Sequence, residues 1–190
     1  MIGALPKALE VGGEDWEIRS DYRNILRIFE ALEDDNLNET EKLYVMLDRM
    51  FVDFKKMPKG YYEEAYKKAS EFIECHDRSD DKTSPKLINW EKDEHMIFPA
   101  INAVAGCEVR GVKYMHWWTF LGYFESVDNE SLWSFVLSIR QKRAKGKKLE
   151  KHEQEFFAKN KALCAIEWRA PKESAEDMLA SIFDSLPDES

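Results

Sequence analysis

Histidine, cysteine and paired carboxylates are the side chains from which a catalytic or metal site would be built. This chain of 190 residues carries four histidines, three cysteines and several adjacent acidic pairs. A zinc site needs imidazole or thiolate ligands a few positions apart, so that two of them meet one ion. His76 follows Cys75, His95 follows Glu94, His116 precedes Trp117 and His152 precedes Glu153, and none stands in H-E-x-x-H or in a paired His/Cys spacing. Cys75, Cys107 and Cys164 form no C-x-x-C pair, so neither a zinc knuckle nor a disulfide framework is indicated and reduced thiols are expected. The acidic pairs Asp34/Asp35, Glu63/Glu64 and Asp80/Asp81 fall on turns or solvated faces. Adjacency in sequence does not shift a carboxylate's pKa, because that requires burial in a cleft. No G-x-S-x-G elbow, P-loop or dinucleotide fingerprint is present, and Gly12-Gly13 reads as a turn. The chain therefore reads as non-enzymatic, with no catalytic residue, no metal and no cofactor expected. His116, which precedes the most aromatic stretch, is expected to pack and hydrogen-bond.

The other candidate chemistry is binding. A basic run, Arg140, Lys142, Arg143, Lys145, Lys147, Lys148 and Lys151, could face nucleic acid. A net charge of −9 argues against a broad phosphate-binding surface, and no aromatic residues interleave the run. Its plainer reading is a solvated connector whose cations complement the C-terminal dipole of a preceding helix. Nucleic acid is thus not the expected partner, and a small nucleic-acid-binding or regulatory protein using residues 140–151 is the competing reading. Met178, Leu179, Ile182, Phe183 and Leu186 recur at helical spacing in an acidic tail after Pro171, a pattern suited to docking in another protein's groove or back on this one. These five and Trp118 are the candidate partner-binding residues.

The elements that would position these residues follow from apolar period and capping signals. With 44% hydrophobic and 34% charged residues the chain has the composition of a globular protein. No segment reaches the roughly 20 apolar residues of a membrane span, so the protein is expected to stay in the cytoplasm where it is made. Gly12-Gly13 predicts a β-hairpin within residues 5–19, with Val11, Trp16 and Ile18 as its apolar contributions. Ser20 or Asp21 should cap a helix striped by Tyr22, Ile25, Leu26, Phe29 and Leu32. A second helix, from about Glu39, carries Leu43, Met46, Leu47, Met50, Phe51 and Phe54 to a stop at Met57-Pro58-Gly60, and a third runs from about Tyr61 to Glu74. Residues 76–88 read as a polar loop. A fourth helix starts at Asn89 or Asp93, faces Ile97, Ala100, Ile101 and Val104 inward and stops at Gly106, with Pro99 either kinking it or marking its start.

Residues 114–140 concentrate the large apolar side chains and predict an aromatic helical hairpin. Tyr114, Trp117, Leu121 and Phe124 recur at helical spacing, as do Leu132, Phe135, Val136 and Ile139, with Asp128 or Asn129 as the second helix's cap. Trp117, Leu121, Phe124, Phe135 and Ile139 are the expected core. Neighbouring helical residues point roughly 100° apart, so Trp118 must either wedge against another element or lie exposed. A last helix over about Leu149–Trp168 completes an all-α, compact multi-helix bundle with a small N-terminal β-hairpin: one helical domain over residues 1–170 and an acidic amphipathic tail over 171–190.

Four stretches also carry a resemblance: W-E-I-x-S-D-Y-R at Trp16–Arg23, INWEKDEHMIFPAI from Ile88, YMHWWTFLGYF from Tyr114, and S-I-R at Ser138–Arg140. In this order, over the chain to about Lys148, they resemble a family of small proteins from the tail-gene module of long-tailed phages and prophages, called phage gene product fifteen. The His-Trp-Trp of residues 116–118 is the most specific piece. The resemblance implies a cytoplasmic tail assembly protein of the bacterial host, chaperone-like and without catalysis. It also implies a tape-measure protein or another tail protein as partner, and self-association is compatible with the same pattern. The tail beyond Pro171 lies outside the stretch that carries the resemblance.

Overall fold

The structure, a computed structural model, describes residues 3–75 and 87–166. Met178, Leu179, Ile182, Phe183 and Leu186, Trp168, and most of the expected loop at 76–88 lie outside the described residues. Those described fall into two compact units: unit 1 joins residues 3–75 to Tyr114–Trp118, and unit 2 takes residues 87–113 and 119–166. The architecture is mostly α, with seven α-helices and one two-stranded antiparallel sheet among the described residues.

Unit 1 begins with strands β1 (Ala8–Val11) and β2 (Glu14–Glu17), paired from Ala8↔Glu17 to Val11↔Glu14. Gly12 and Gly13 have φ of 61° and 78°, the positive values that a tight two-residue hairpin turn demands. Gly12 is required twice over, by that φ and because a Cβ there would stand 2.5 Å from the Tyr61 ring. Its amide donates to Glu64 Oε2 at 3.0 Å. Helix α1 (Tyr22–Glu33) is capped by Asp21, whose side chain accepts from the Arg23 amide, and buries Tyr22, Ile25 and Ile28. Helix α2 (Glu39–Met50) starts with a reciprocal capping box between Asn38 and Glu41.

Helix α2 ends earlier than the apolar pattern suggests. Phe51 and Phe54 are buried outside it, because Phe51 turns extended and bridges to Ile18. The Arg19 guanidinium then donates to the carbonyls of Asp48, Arg49, Phe51 and Val52, closing the helix end that local sequence leaves open. Helix α3 (Tyr62–Glu74) buries Ala65, Ala69, Phe72 and Ile73.

In unit 2, helix α4 (Trp90–Ala105) is capped by Asn89 and stopped by Gly106 at φ 68°. It runs through Pro99, which sits on the exposed face, so the missing N–H leaves the His95 carbonyl on the same side as the exposed His95 side chain. Met96, Ile97, Phe98 and Ile101 are buried, whereas Val104, expected inside, is 37% exposed. Helix α5 (Trp117–Glu125) contributes its residues from Thr119 onward to this unit, followed by α6 (Leu132–Ala144) and α7 (Lys151–Lys159). The cap of α6 is Ser131, which accepts from the Ser134 amide. Asp128 instead forms the preceding turn, accepting from Glu130 N at 2.7 Å through its side chain. Helix α7 is shorter than its apolar period implied. The chain turns at Asn160, whose side chain donates to the Phe156 carbonyl, and Leu163 and Cys164 follow outside the helix.

Candidate functional site

Three arrangements gather the side chains singled out by their chemistry. The first is in unit 1. Trp117 donates its indole N–H to the Ile73 carbonyl at 2.8 Å, and Trp118 donates to the Phe72 carbonyl at 2.9 Å. These are consecutive carbonyls in the last turn of α3, where intrahelical donors run out. Adjacent tryptophans pointing different ways therefore cap one helix end between them. Trp118 is half-buried and stacks on Phe72 at 5.6 Å, while Trp117 is buried and meets Phe29 edge-on at 5.9 Å.

His116 organises the start of that segment. Its Nδ1 accepts the Trp118 amide at 3.1 Å and its Nε2 lies 2.9 Å from the Pro6 carbonyl. An amide can only donate and a carbonyl only accept, so the ring is the Nε2–H tautomer. Asp21 holds the other side: it accepts from Met115 N at 3.2 Å and from Nε and Nη2 along one edge of the Arg23 guanidinium at 2.8 and 2.9 Å. Burial alone would raise the Asp21 carboxyl, but the bonds from Arg23 and Met115 outweigh it and hold the group below the ordinary carboxylate value.

The second arrangement is in unit 2 and belongs to the basic run. Arg140 is 6% exposed and forms a two-pronged pair with Asp93, Nη1 to Oδ2 at 2.6 Å and Nη2 to Oδ1 at 2.8 Å. Its Nε and Nη2 also donate to the Leu163 carbonyl and its Nη1 to the Leu87 carbonyl, so all five donors of the guanidinium are engaged. Arg143 donates to the Cys164 carbonyl at 2.7 Å and covers the Phe157 ring at 4.4 Å. Lys142 pairs with buried Glu153 at 2.6 Å. Burial would raise Glu153, yet the bonds from Lys142 and the Glu150 amide lower it, and Glu153 raises Lys142 in turn. The Cys164 thiol is pushed up by burial, against the pull of Arg140 and Arg143. Of the seven cations expected on a solvated connector, Arg140 is buried inside unit 2 and Lys142 is half-buried against Glu153, while Arg143, Lys145, Lys147, Lys148 and Lys151 are exposed. A cavity of about 280 Å³ beside the pair is lined by Leu87, Ile88, Lys92, Ala162 and Ala165 among others.

The third is a groove of about 400 Å³ between α5 and α6. Trp133 lines it together with Phe124, Val127 and Leu137, and Ser134, Ser138, Asn129, Gln141 and Glu125 form its polar edge. Trp133 is 2% exposed, with Phe124 6.2 Å from its ring and the Arg140 guanidinium 5.9 Å away. Leu132 beside it is 49% exposed.

Of the residues expected in the core, Trp117 and Ile139 are buried, and Leu121, Phe124 and Phe135 are half-buried. Tyr114 precedes the helix and is 50% exposed, its hydroxyl 2.8 Å from Ser20 Oγ. Ser131 sets the phase of α6, so its buried face is Trp133, Val136, Ile139 and Arg140 rather than the stripe that includes Leu132. The burial of Asp93 and Arg140 as a pair and the place of Trp133 were missed by sequence reasoning, though a signal existed. Asp93 continues the Ile97–Ile101 stripe by one turn, and Arg140 continues Trp133–Val136. A charge in phase with an apolar stripe marks a buried pair, since an unpaired one would be costly.

No group of three or more His, Cys, Asp or Glu side chains among the described residues is placed to hold a metal ion, and no described helix is long and apolar enough to cross a membrane. In comparison with known proteins, the model of the family described as bacteriophage Gp15 protein matches residues 1–166. No curated protein and no solved structure matches the chain.

Proposed function

This chain belongs to the bacteriophage Gp15 protein family, and from that premise we propose that it is a tail assembly protein, a chaperone-like holder of the tape-measure protein or of a companion tail protein. It performs no chemistry in this reading. It acts in the cytoplasm of the bacterial host and is absent from the finished particle. A tape-measure chain is long and largely helical, and it exposes apolar stripes until tube subunits enclose it. A holder for such stripes needs open apolar surface on a body that stays dispersed, which the net charge of −9 favours.

The observation that carries the proposal is the groove of unit 2, where apolar side chains of α5 and α6 meet solvent inside a polar edge. The buried charges nearby speak against a reacting centre: Asp93 and Arg140 engage one another, and Glu153 engages Lys142. The pairing of Arg140 with Asp93 and of Lys142 with Glu153 also takes two cations from the nucleic-acid reading. Co-expression with the tape-measure protein of the same phage should give a complex that co-purifies, and mass spectrometry of finished particles should lack this chain. If neither the tape-measure protein nor any other tail component is retained, the proposal fails.

A further inference from the structure

Trp133 is as deeply buried as Trp117, at 2% exposure, but its indole N–H has no hydrogen-bond acceptor among the described residues. No fully buried donor is left without a partner there, so this N–H reaches solvent, and the opening that Trp133 lines is the groove between α5 and α6. A donor set in an apolar pocket selects an occupant that brings an acceptor, because closing an apolar group over it leaves the donor unsatisfied.

From this we infer that the groove receives the C-terminal turn of a partner's amphipathic helix, ended by lysine or arginine, whose free backbone carbonyl accepts the Trp133 indole N–H. The inference deepens the holding role and rests on it. The last four carbonyls of a helix have no intrahelical donor, which makes a helix end the natural source of acceptors flanked by apolar side chains. The chain itself uses this pairing in unit 1, where Trp117 and Trp118 donate to the last-turn carbonyls of α3.

Charge points the same way. Among the described residues Glu125 is the one charged side chain lining the groove, and exposed Asp128 and Glu130 stand in the turn that joins its two helices. Cations favour the last turn of a helix, whose dipole is negative there, so a basic-ended helix meets an acidic border. A helix N-terminus would bring donors and acidic side chains to the same place, which neither the indole nor the border accepts. The volume, about 400 Å³, lies within the range of binding clefts.

The test uses an acetylated and amidated alanine-rich helix of about 18 residues, long enough to fold alone, with two leucines and two lysines in its last turn. Titrated into the full ¹⁵N-labelled protein, it should bind saturably and move the Trp133 indole resonance while leaving those of Trp117 and Trp118 in place. Trp133→Phe should weaken binding roughly fivefold, the size of one neutral hydrogen bond. Glu125→Lys with Glu130→Lys, both on exposed residues, should weaken it while the protein stays folded. A peptide with its leucine–lysine turn moved to the N-terminus should not compete. Absence of binding, equal binding of both peptides, or an unmoved Trp133 resonance would each overturn the inference. So would full retention of the tape-measure protein by the double lysine variant, although the assembly role would then stand. A peptide that binds as described, in a protein that retains no tail component, would uphold the groove and remove the assembly role.

Discussion

In unit 1 the indoles of Trp117 and Trp118 donate to two consecutive carbonyls at the end of α3. In unit 2 the equally buried indole of Trp133 donates to none among the described residues. The side chains are the same and the apolar surroundings similar, so the difference lies in what the backbone offers. Helix α3 ends beside the first pair with carbonyls that need donors, whereas Trp133 sits within α6, where nearby carbonyls already serve the helix. A tryptophan closes a structure when its polar tip finds a partner inside, and it leaves a binding point when the tip meets solvent.

The largest effects should fail to separate the two sites. Trp117→Ala and Trp133→Ala each remove a fully buried ring and should each cost about 3–5 kcal/mol in urea unfolding. A much smaller loss at either would remove that ring from the core. Asp93→Ala, which leaves the Arg140 guanidinium unpaired in the interior of unit 2, should cost about 3–5 kcal/mol as well. Asp93→Leu with Arg140→Met should regain most of it, and no regain would show that the carbonyl bonds of Arg140 matter more than its charge.

Phenylalanine separates what alanine cannot. Trp117→Phe keeps most of the ring but deprives the Ile73 carbonyl of its donor, so it should cost about 1–3 kcal/mol more than Trp133→Phe, which breaks no bond within the protein. Equal losses would end the comparison.

The smallest effect is electrostatic. The carboxyl of Glu153 is lowered in the folded protein, so its contribution is present above the ordinary carboxylate value and lost as pH falls through the lowered one. Lys142 is raised, and its share persists through neutral pH into the alkaline range. Lowering the pH from about 6 to about 3 should therefore depress the melting temperature of the wild type more than that of Glu153→Gln. Glu108, brought to about 2 by the Arg110 guanidinium and amide, stays ionised in the folded protein while the unfolded chain takes up the proton, so it adds to the fall in both proteins equally and leaves their difference to Glu153.

Much of this architecture is legible in the amino-acid pattern because its signals are local. Gly12-Gly13 names the hairpin, Asp21 and Asn89 name helix starts, and Gly106 names a helix stop. The roughly 100° rule also requires Trp117 and Trp118 to diverge. What stays hidden depends on distant partners. Nothing near Met50 announces that Arg19 closes α2, and nothing near Glu74 announces two indoles from more than forty residues away. The basic run reads as a solvated connector because its count of cations dominates, while the phase of Arg140 with Trp133 and Val136 is the feature that decides its place. Trp133 escaped notice because the cap at Ser131 turns α6 by one position relative to the stripe through Leu132 and Phe135.

The closure of α3 by Trp117 and Trp118 bears on how the chain emerges from the ribosome. The indoles follow their acceptor carbonyls by 44 and 46 positions. At about 5–20 residues per second, translation needs roughly 2–9 s to supply them. Until then the Phe72 and Ile73 end of α3 is available to water or to a neighbouring nascent chain. Unit 1 reaches its finished form only after the intervening segment that begins unit 2 has been made.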